Sequence, residues 1–319
     1  MTAPPCERRY FAYGLTIVTD LAFPELRAAP PGACDVRVRL ATAADRPFVG
    51  GTWVFKTQRM ACARTPAGYL IRFQDLADFA LSTNGRDIVC GQTLESGDEV
   101  MLRHLVLDQI LPLTFKLRGI EALHATAILT SSGVCAFLGP TGSGKSTVAA
   151  GFLKAGYPVM SDDCLPVFFR GDEPCAIPAY PGLRLCADAF AAFRENGDVV
   201  RPIGPHTAKQ RWVPARAVDS FPTDAAPLKR IYRLVPGNQA PQLTGVGAAK
   251  LERLTARETL MELVDETFRL DPTDEAMLAE EFRFWERVAL AVPARRLRIG
   301  RDLSSTEARE QVLEDLRAG

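Results

Sequence analysis

The sequence predicts an α/β fold, and three observations carry that prediction. Short β-branched and aromatic runs, separated by turn residues, fill the first hundred of the 319 residues. After Gly119 apolar runs of strand length alternate with a glycine-rich loop and a helical pattern, as in a sheet with buried central strands. Three segments of helical period then close the chain.

In chain order, residues 10–19, 35–40, 51–57 and 68–73 read as strands, and the alternation in DVRVRL suits a strand with one wet face. Turn-rich pieces lie between them, at 28–33 and at Thr83-Asn-Gly-Arg86. This β-rich region either docks a partner or completes a core as a β layer. From 99 to 117 the period becomes helical, with Leu102, Leu105, Val106, Gln109, Ile110 and Leu113 recurring at three and four residues. Pro112 sits inside that run and should kink it or split it into two helices. Gly119 offers a stop, so the expected division is 1–118 and 119–319. In the second part, 123–129 and 134–138 read as strands joined by a tight turn at Ser132-Gly133. Residues 144–155 read as a helix, 157–161 and 229–235 as strands, and 256–269, 275–290 and 304–316 as helices. Thr255 and Ser304 look like N-caps, with Glu258 and Glu307 three residues on.

Bulk composition excludes several classes. Lys+Arg and Asp+Glu both number 38, and no block of basic residues suggests a nucleic-acid partner. No segment approaches the roughly 18 apolar residues of a membrane helix. The stretch MTAPPCERRYFAYG does not read as a secretion signal, so a cytoplasmic protein is expected. Eight cysteines are scattered singly with no Cys-x-x-Cys pair, which points to reduced, mostly buried thiols.

The strongest motif is Gly139-Pro140-Thr141-Gly142-Ser143-Gly144-Lys145-Ser146-Thr147, a full match to G-x-x-x-x-G-K-[ST]. Its glycines let successive backbone N–H groups face one anionic centre, and the helix that follows adds its positive end there. Lys145 would reach the β- and γ-phosphates of ATP, and Ser146 would hold Mg²⁺. The core is therefore expected to be of the P-loop kind.

Seventeen residues after Lys145 comes Asp162-Asp163, at the end of an apolar strand. A carboxylate there lies beside the phosphate loop and can bind Mg²⁺, while a neighbour takes a proton from an incoming hydroxyl. His124, in the strand before the loop, fits a satisfied core residue as well as a site residue. Arg184, after a Pro-Gly turn, and Lys209 and Arg211, beside Trp212, are candidate contacts to a substrate or to the transferring phosphoryl group. Each fits an ordinary surface cation equally well. Trp212 is expected to pack rather than to stack on adenine.

Three segments together, LHATAIL, GPTGSGKST and GYPVMSDDCLPVF, resemble the catalytic domain of the bacterial HPr kinase/phosphorylase family over about residues 119–170. The resemblance implies Asp162 as the proton acceptor, Asp163 as a metal or water ligand, and His124 as an orienting or charge-balancing partner. It also implies an oligomer. The N-terminal region does not look like that family's regulatory domain, and its Glu-x-Arg-Gly-Leu-Gly segment is missing, with Tyr180-Pro-Gly-Leu-Arg-Leu185 in the corresponding stretch. The layout looks more like HPr-kinase-like proteins of modified-peptide gene clusters, some of which phosphorylate a precursor peptide on serine.

The expected activity is transfer of the γ-phosphoryl group of ATP·Mg²⁺ to a hydroxyl, serine or other, of a peptide or protein acceptor. A small-molecule kinase of the same fold and a nucleotide-dependent regulatory binding protein are the alternatives.

Overall fold

The computed structural model describes residues 7–42, 45, 50–92, 99–203, 207–214, 221–235, 250–298 and 305–318. It is a mixed α/β structure with two large sheets. The described residues fall into two compact units. One runs to Ala122 and also takes in Ile203 and Phe268–Glu280; the other holds Leu123–Pro202, 207–267 and 281–318.

The first unit holds β1 (Arg8–Ala12), β2 (Leu15–Thr19), β3 (Arg27–Ala28), β4 (Val36–Leu40), β5 (Thr52–Lys56), β6 (Met60–Thr65), β7 (Gly68–Phe73), β8 (Ala77–Ser82) and β9 (Asp87–Gln92). They form one sheet in the order β3-β1-β2-β4-β9-β8-β7-β6-β5. Residues 10–19, expected as one strand, are part of two. Tyr13 and Gly14 both have left-handed backbones (φ 56° and 68°), the geometry of a two-residue hairpin turn whose twist matches the strands it joins. The tyrosine is held there by burial: its ring meets Phe115 edge-on at 5.2 Å, and its hydroxyl donates to the Leu107 carbonyl at 3.0 Å.

Helices α1 (Glu99–Leu105) and α2 (Leu111–Lys116) are bridged by a single π turn at Val106–Ile110. The Leu111 N–H reaches back to Val106. Pro112 has no N–H, and its ring would crowd the Asp108 carbonyl in an ordinary α turn, so the wider turn carries the run past it. Asp271, fully buried, anchors the Phe268–Glu280 segment within this unit. It accepts from Arg64 (2.5 Å), from the Tyr69 hydroxyl (3.2 Å), and from Thr273 through both N–H and hydroxyl.

After β10 (Glu121–Leu123), the second unit contains β11 (Thr126–Thr130), β12 (Gly133–Leu138), α3 (Lys145–Lys154), β13 (Val159–Asp162), β14 (Leu165–Arg170) and β15 (Glu173–Ala176). Then come β16 (Leu183–Leu185), α4 (Ala187–Phe193), β17 (Val199–Pro202), β18 (Gln210–Val213), β19 (Ala226–Val235) and β20 (Lys250–Arg253). The chain closes with α5 (Ala256–Asp265), α6 (Glu275–Ala291), β21 (Ala294–Arg298) and α7 (Ser305–Arg317). The central order is β13-β11-β12-β19-β21-β20, with β12, β19 and β21 mutually parallel and the other pairs antiparallel.

Both faces of this sheet are covered, and β12, GVCAFL, is apolar along its length. On one face Phe137, Tyr232 and Leu234 pack with Phe152 of α3, Val312 of α7 and Trp212 of the small sheet β16-β18-β17. On the other, Ala127, Leu138 and Ile231 pack with Leu263 of α5 and Trp285 of α6. Thr255 caps α5 as expected, with reciprocal bonds to Glu258; the Ser304 cap lies outside the described residues. Seven described cysteines are free thiols. Among the described residues no helix is long and apolar enough to cross a membrane.

Candidate functional site

Strand β12 ends at Leu138 and α3 begins at Lys145, and the six residues between them turn the chain. Gly139, Gly142 and Gly144 all have positive φ (147°, 85° and 95°). A Cβ on Gly139 would lie 2.7 Å from Ser143 Oγ and 3.0 Å from the Leu234 carbonyl, so crowding as well as backbone angle requires glycine there. Pro140, Thr141 and Gly142 form the exposed tip; Ser146 and Thr147 are half-buried in the first turn of α3. No side chain caps that helix start. Ser143 Oγ is buried and, among the described residues, has no hydrogen-bond partner.

Lys145 is buried, 7% exposed, and its ammonium donates to the Gly139 carbonyl. Burial pulls its pKa down to about 8, against the opposing pull of Glu266 and Asp162. One residue on, Ser146 Oγ donates to Asp162 Oδ1 at 2.9 Å. Thr126 of β11 donates to the same oxygen at 2.8 Å, and the Arg184 backbone N–H to Oδ2 at 2.5 Å.

Asp163 has a left-handed backbone (φ 109°), uncommon for a residue with a side chain, and its N–H is tied to the Ala125 carbonyl. Its carboxylate pairs with the Arg184 guanidinium, and Oδ1 lies 3.6 Å from His124 Nε2. The turn between the two aspartates thus gives them different partners: Asp162 meets Ser146, whereas Asp163 meets His124 and Arg184. Burial, reinforced by the cations Lys145, Arg184 and Lys209, pulls the His124 pKa down to about 3. The imidazole is therefore neutral near pH 7. Its ring is placed to orient Asp163.

Lys209 lies within electrostatic reach of both His124 and Lys145. Arg211 is buried with its guanidinium 4.7 Å from the centre of the Tyr180 ring. Trp212 packs, as expected, lying parallel to Phe193 at 6.2 Å and donating from Nε1 to Asp198 at 2.7 Å.

Sequence reasoning passed over three neighbours. Thr126 shares Asp162. Glu266 takes Arg233 at 3.0 Å, and its carbonyl accepts the His124 N–H at 2.6 Å. Its carboxyl is raised by burial, with Lys145 and Arg233 pulling the other way. A signal for Glu266 was present: α5 carries acids and no base in its last turn, against the helix dipole, which calls for a cation from elsewhere. Arg233 of β19 is that cation, bonded to Glu262 at 2.6 Å as well.

No protein-family model matches the chain, and no curated protein matches it. Among solved structures, that of the Hpr(Ser) kinase/phosphatase from Coxiella burnetii covers 61% of this chain and 97% of its own, at 11% identity and a TM-score of 0.31. The likeness is distant.

Proposed function

We propose that this chain is an ATP-dependent kinase with a P-loop core that transfers a phosphoryl group to a hydroxyl of a peptide or protein acceptor. The observation that carries the reading is the meeting of a glycine loop, a buried lysine and an Asp-Asp pair through the Ser146–Asp162 hydrogen bond.

The residues fit a nucleotide. Among the described residues, Ser143 Oγ is a buried donor lacking an acceptor, the start of α3 is uncapped by any side chain, and open space lies beside Gly142 and Gly144. They also fit Mg²⁺ held through Ser146 and Asp162. Among the described residues no three of His, Cys, Asp and Glu converge as a metal site of their own. That suits an ion that takes most of its oxygens from water and phosphates. When bound, the ion would neutralise charge on the phosphates.

The chain's own groups divide the remaining work. Lys145 leaves the Gly139 carbonyl to meet the phosphates. Lys209 and Arg184 add positive charge where the transferring group would sit. The partners of the two aspartates favour Asp162 on the metal side and Asp163, oriented by neutral His124, on the acceptor side. This reverses the division that the sequence resemblance implies. Asp163 then accepts the hydroxyl proton as attack proceeds. The β-rich first unit is a candidate module for acceptor docking.

Labelled ATP and a panel of serine-containing peptides test the reading, with the wild type beside Lys145→Ala, Asp162→Asn and Asp163→Asn. Lys145→Ala should abolish nucleotide binding. Asp162→Asn should weaken it only when Mg²⁺ is present, and Asp163→Asn should bind normally yet fail to transfer. Normal transfer by Asp163→Asn overturns its role, and a wild type that binds no nucleotide overturns the whole reading.

A further inference from the structure

The small sheet β16-β18-β17 places Arg184, Arg211 and Arg201 directly opposite one another, with Arg184 paired to Arg211 and Arg211 to Arg201. Directly opposed residues share a face. Leu183, Leu185 and Trp212 point into the core, with Val200 packed against them, so the three guanidinium groups lie on the other side. Like charges at opposed positions destabilise a sheet unless something neutralises them. At the inner end Arg184 has Asp163, and in the middle Arg211 lies over the Tyr180 ring. The outer member, Arg201, is half-buried, and among the described residues it has no acidic partner.

Building on the kinase reading, we propose that Arg201 receives a carboxylate of the acceptor, and that the acceptor is an acidic peptide segment. The row runs outward from Asp163, the group assigned to the reacting hydroxyl. Arg184 and Arg201 are two strand spacings apart, about 10 Å, and an extended peptide covers about 3.3 Å per residue. The preferred Asp or Glu therefore lies about three residues from the reacting serine, on the side that faces β17. An arginine suits this task because its planar fork takes a carboxylate through two parallel hydrogen bonds.

Two fluorescent peptides with a central serine test the proposal, one carrying Glu three residues to either side and the other Lys at those positions. Binding of each is read by anisotropy with wild type, Arg201→Glu and Arg201→Lys, in the presence of Mg²⁺ and a non-hydrolysable ATP analogue. Wild type should bind the Glu probe about tenfold more tightly than the Lys probe, a range typical of charge complementarity. Arg201→Glu should reverse the order, and Arg201→Lys should keep it in weakened form. Fluorescent ADP, measured on the same three proteins without the ATP analogue, should bind them alike, which also shows that the variants are folded. The proposal is overturned if wild type does not distinguish the probes, or if Arg201→Glu weakens both equally. Loss of the kinase reading gives a different pattern: wild type sorts the probes but binds no nucleotide.

Discussion

Ser146 Oγ donates to Asp162 Oδ1 across 2.9 Å, and this bond ties the first turn of α3 to the last residue of β13. The two elements do not follow from adjacent strands, because β11 lies between β12 and β13. Thr126 of that intervening strand donates to the same carboxylate oxygen. A hydroxyl and a carboxylate brought together this way can share one hard cation, and the geometry is set by one helix and two strands, α3, β11 and β13.

Ser146→Ala and Asp162→Asn should therefore have one phenotype. Each removes an oxygen ligand or its charge, so nucleotide affinity measured with Mg²⁺ should fall roughly tenfold or more, while affinity in EDTA changes little. The double variant should lose little beyond the worse single one, because groups that act as a unit are not additive. Titration calorimetry with and without the ion measures both quantities. Equal losses in EDTA and in Mg²⁺ would show that the pair serves only the fold.

On the kinase reading, Lys145 should make nucleotide binding sensitive to pH. Its pKa in the free protein is pulled to about 8 from an ordinary 10.5. Above pH 8 the side chain is increasingly neutral, and a triphosphate then has to recruit a proton as it binds. Affinity should fall by up to about tenfold per pH unit above that point, with matching proton uptake. Folding shows the opposite slope for this group. Between pH 8 and 10.5 the unfolded chain holds more of the proton, so the stability penalty of burying Lys145 shrinks as pH rises. Lys145→Arg keeps its charge throughout and should give a flat binding profile.

Gly139 and Gly119 separate crowding from backbone angle. A methyl group at Gly139 would meet Ser143 Oγ at 2.7 Å on a backbone with φ of 147°, whereas at Gly119 (φ 71°) it would meet nothing. Gly119→Ala should cost about 1 kcal/mol, the ordinary charge for a left-handed residue. Gly139→Ala should cost about 2–3 kcal/mol, because strain and contact add, and it should also displace Ser143 from the loop. Thermal unfolding measures the stabilities and nucleotide binding the displacement.

Much of this was legible in the sequence because the signals are local. GPTGSGKST fixes its own backbone through its glycines, and the capping box Thr255–Glu258 closes over four residues. The alternation Val36-Arg37-Val38 gave one wet face, and the arginine is exposed between two buried valines. The contents of 165–213 were missed, since β14 to β18 are short and their pairing depends on strands distant in the chain. Register is also non-local. Nothing in the order of Arg184, Arg201 and Arg211 along the chain says that β18 lies between β16 and β17 and lines the three up. Glu266 was missed for a related reason, because its cation, Arg233, sits on a strand 33 residues earlier.

Asp271 gives the first unit its own test. The carboxylate is fully buried and accepts from Arg64, Tyr69 and twice from Thr273. Burial alone would raise its pKa, but the Arg64 and Thr273 bonds outweigh that and hold it below the ordinary 3.8. A carboxylate whose pKa is depressed on folding contributes stability above its unfolded value, and that contribution is lost as pH falls through the folded one. Wild type should therefore lose stability steeply as pH drops below 4, and Asp271→Asn should show a shallower acid limb. At pH 7, Asp271→Ala should cost about 2–3 kcal/mol, because it strands the buried Tyr69 hydroxyl and empties a fully buried site. Arg64→Ala should cost less, since that side chain is 47% exposed and water replaces it readily. Urea titrations at pH 7 and at a series of pH values below 4 separate these outcomes. An Asp271→Asn variant as sensitive to acid as wild type would place the titrating group elsewhere.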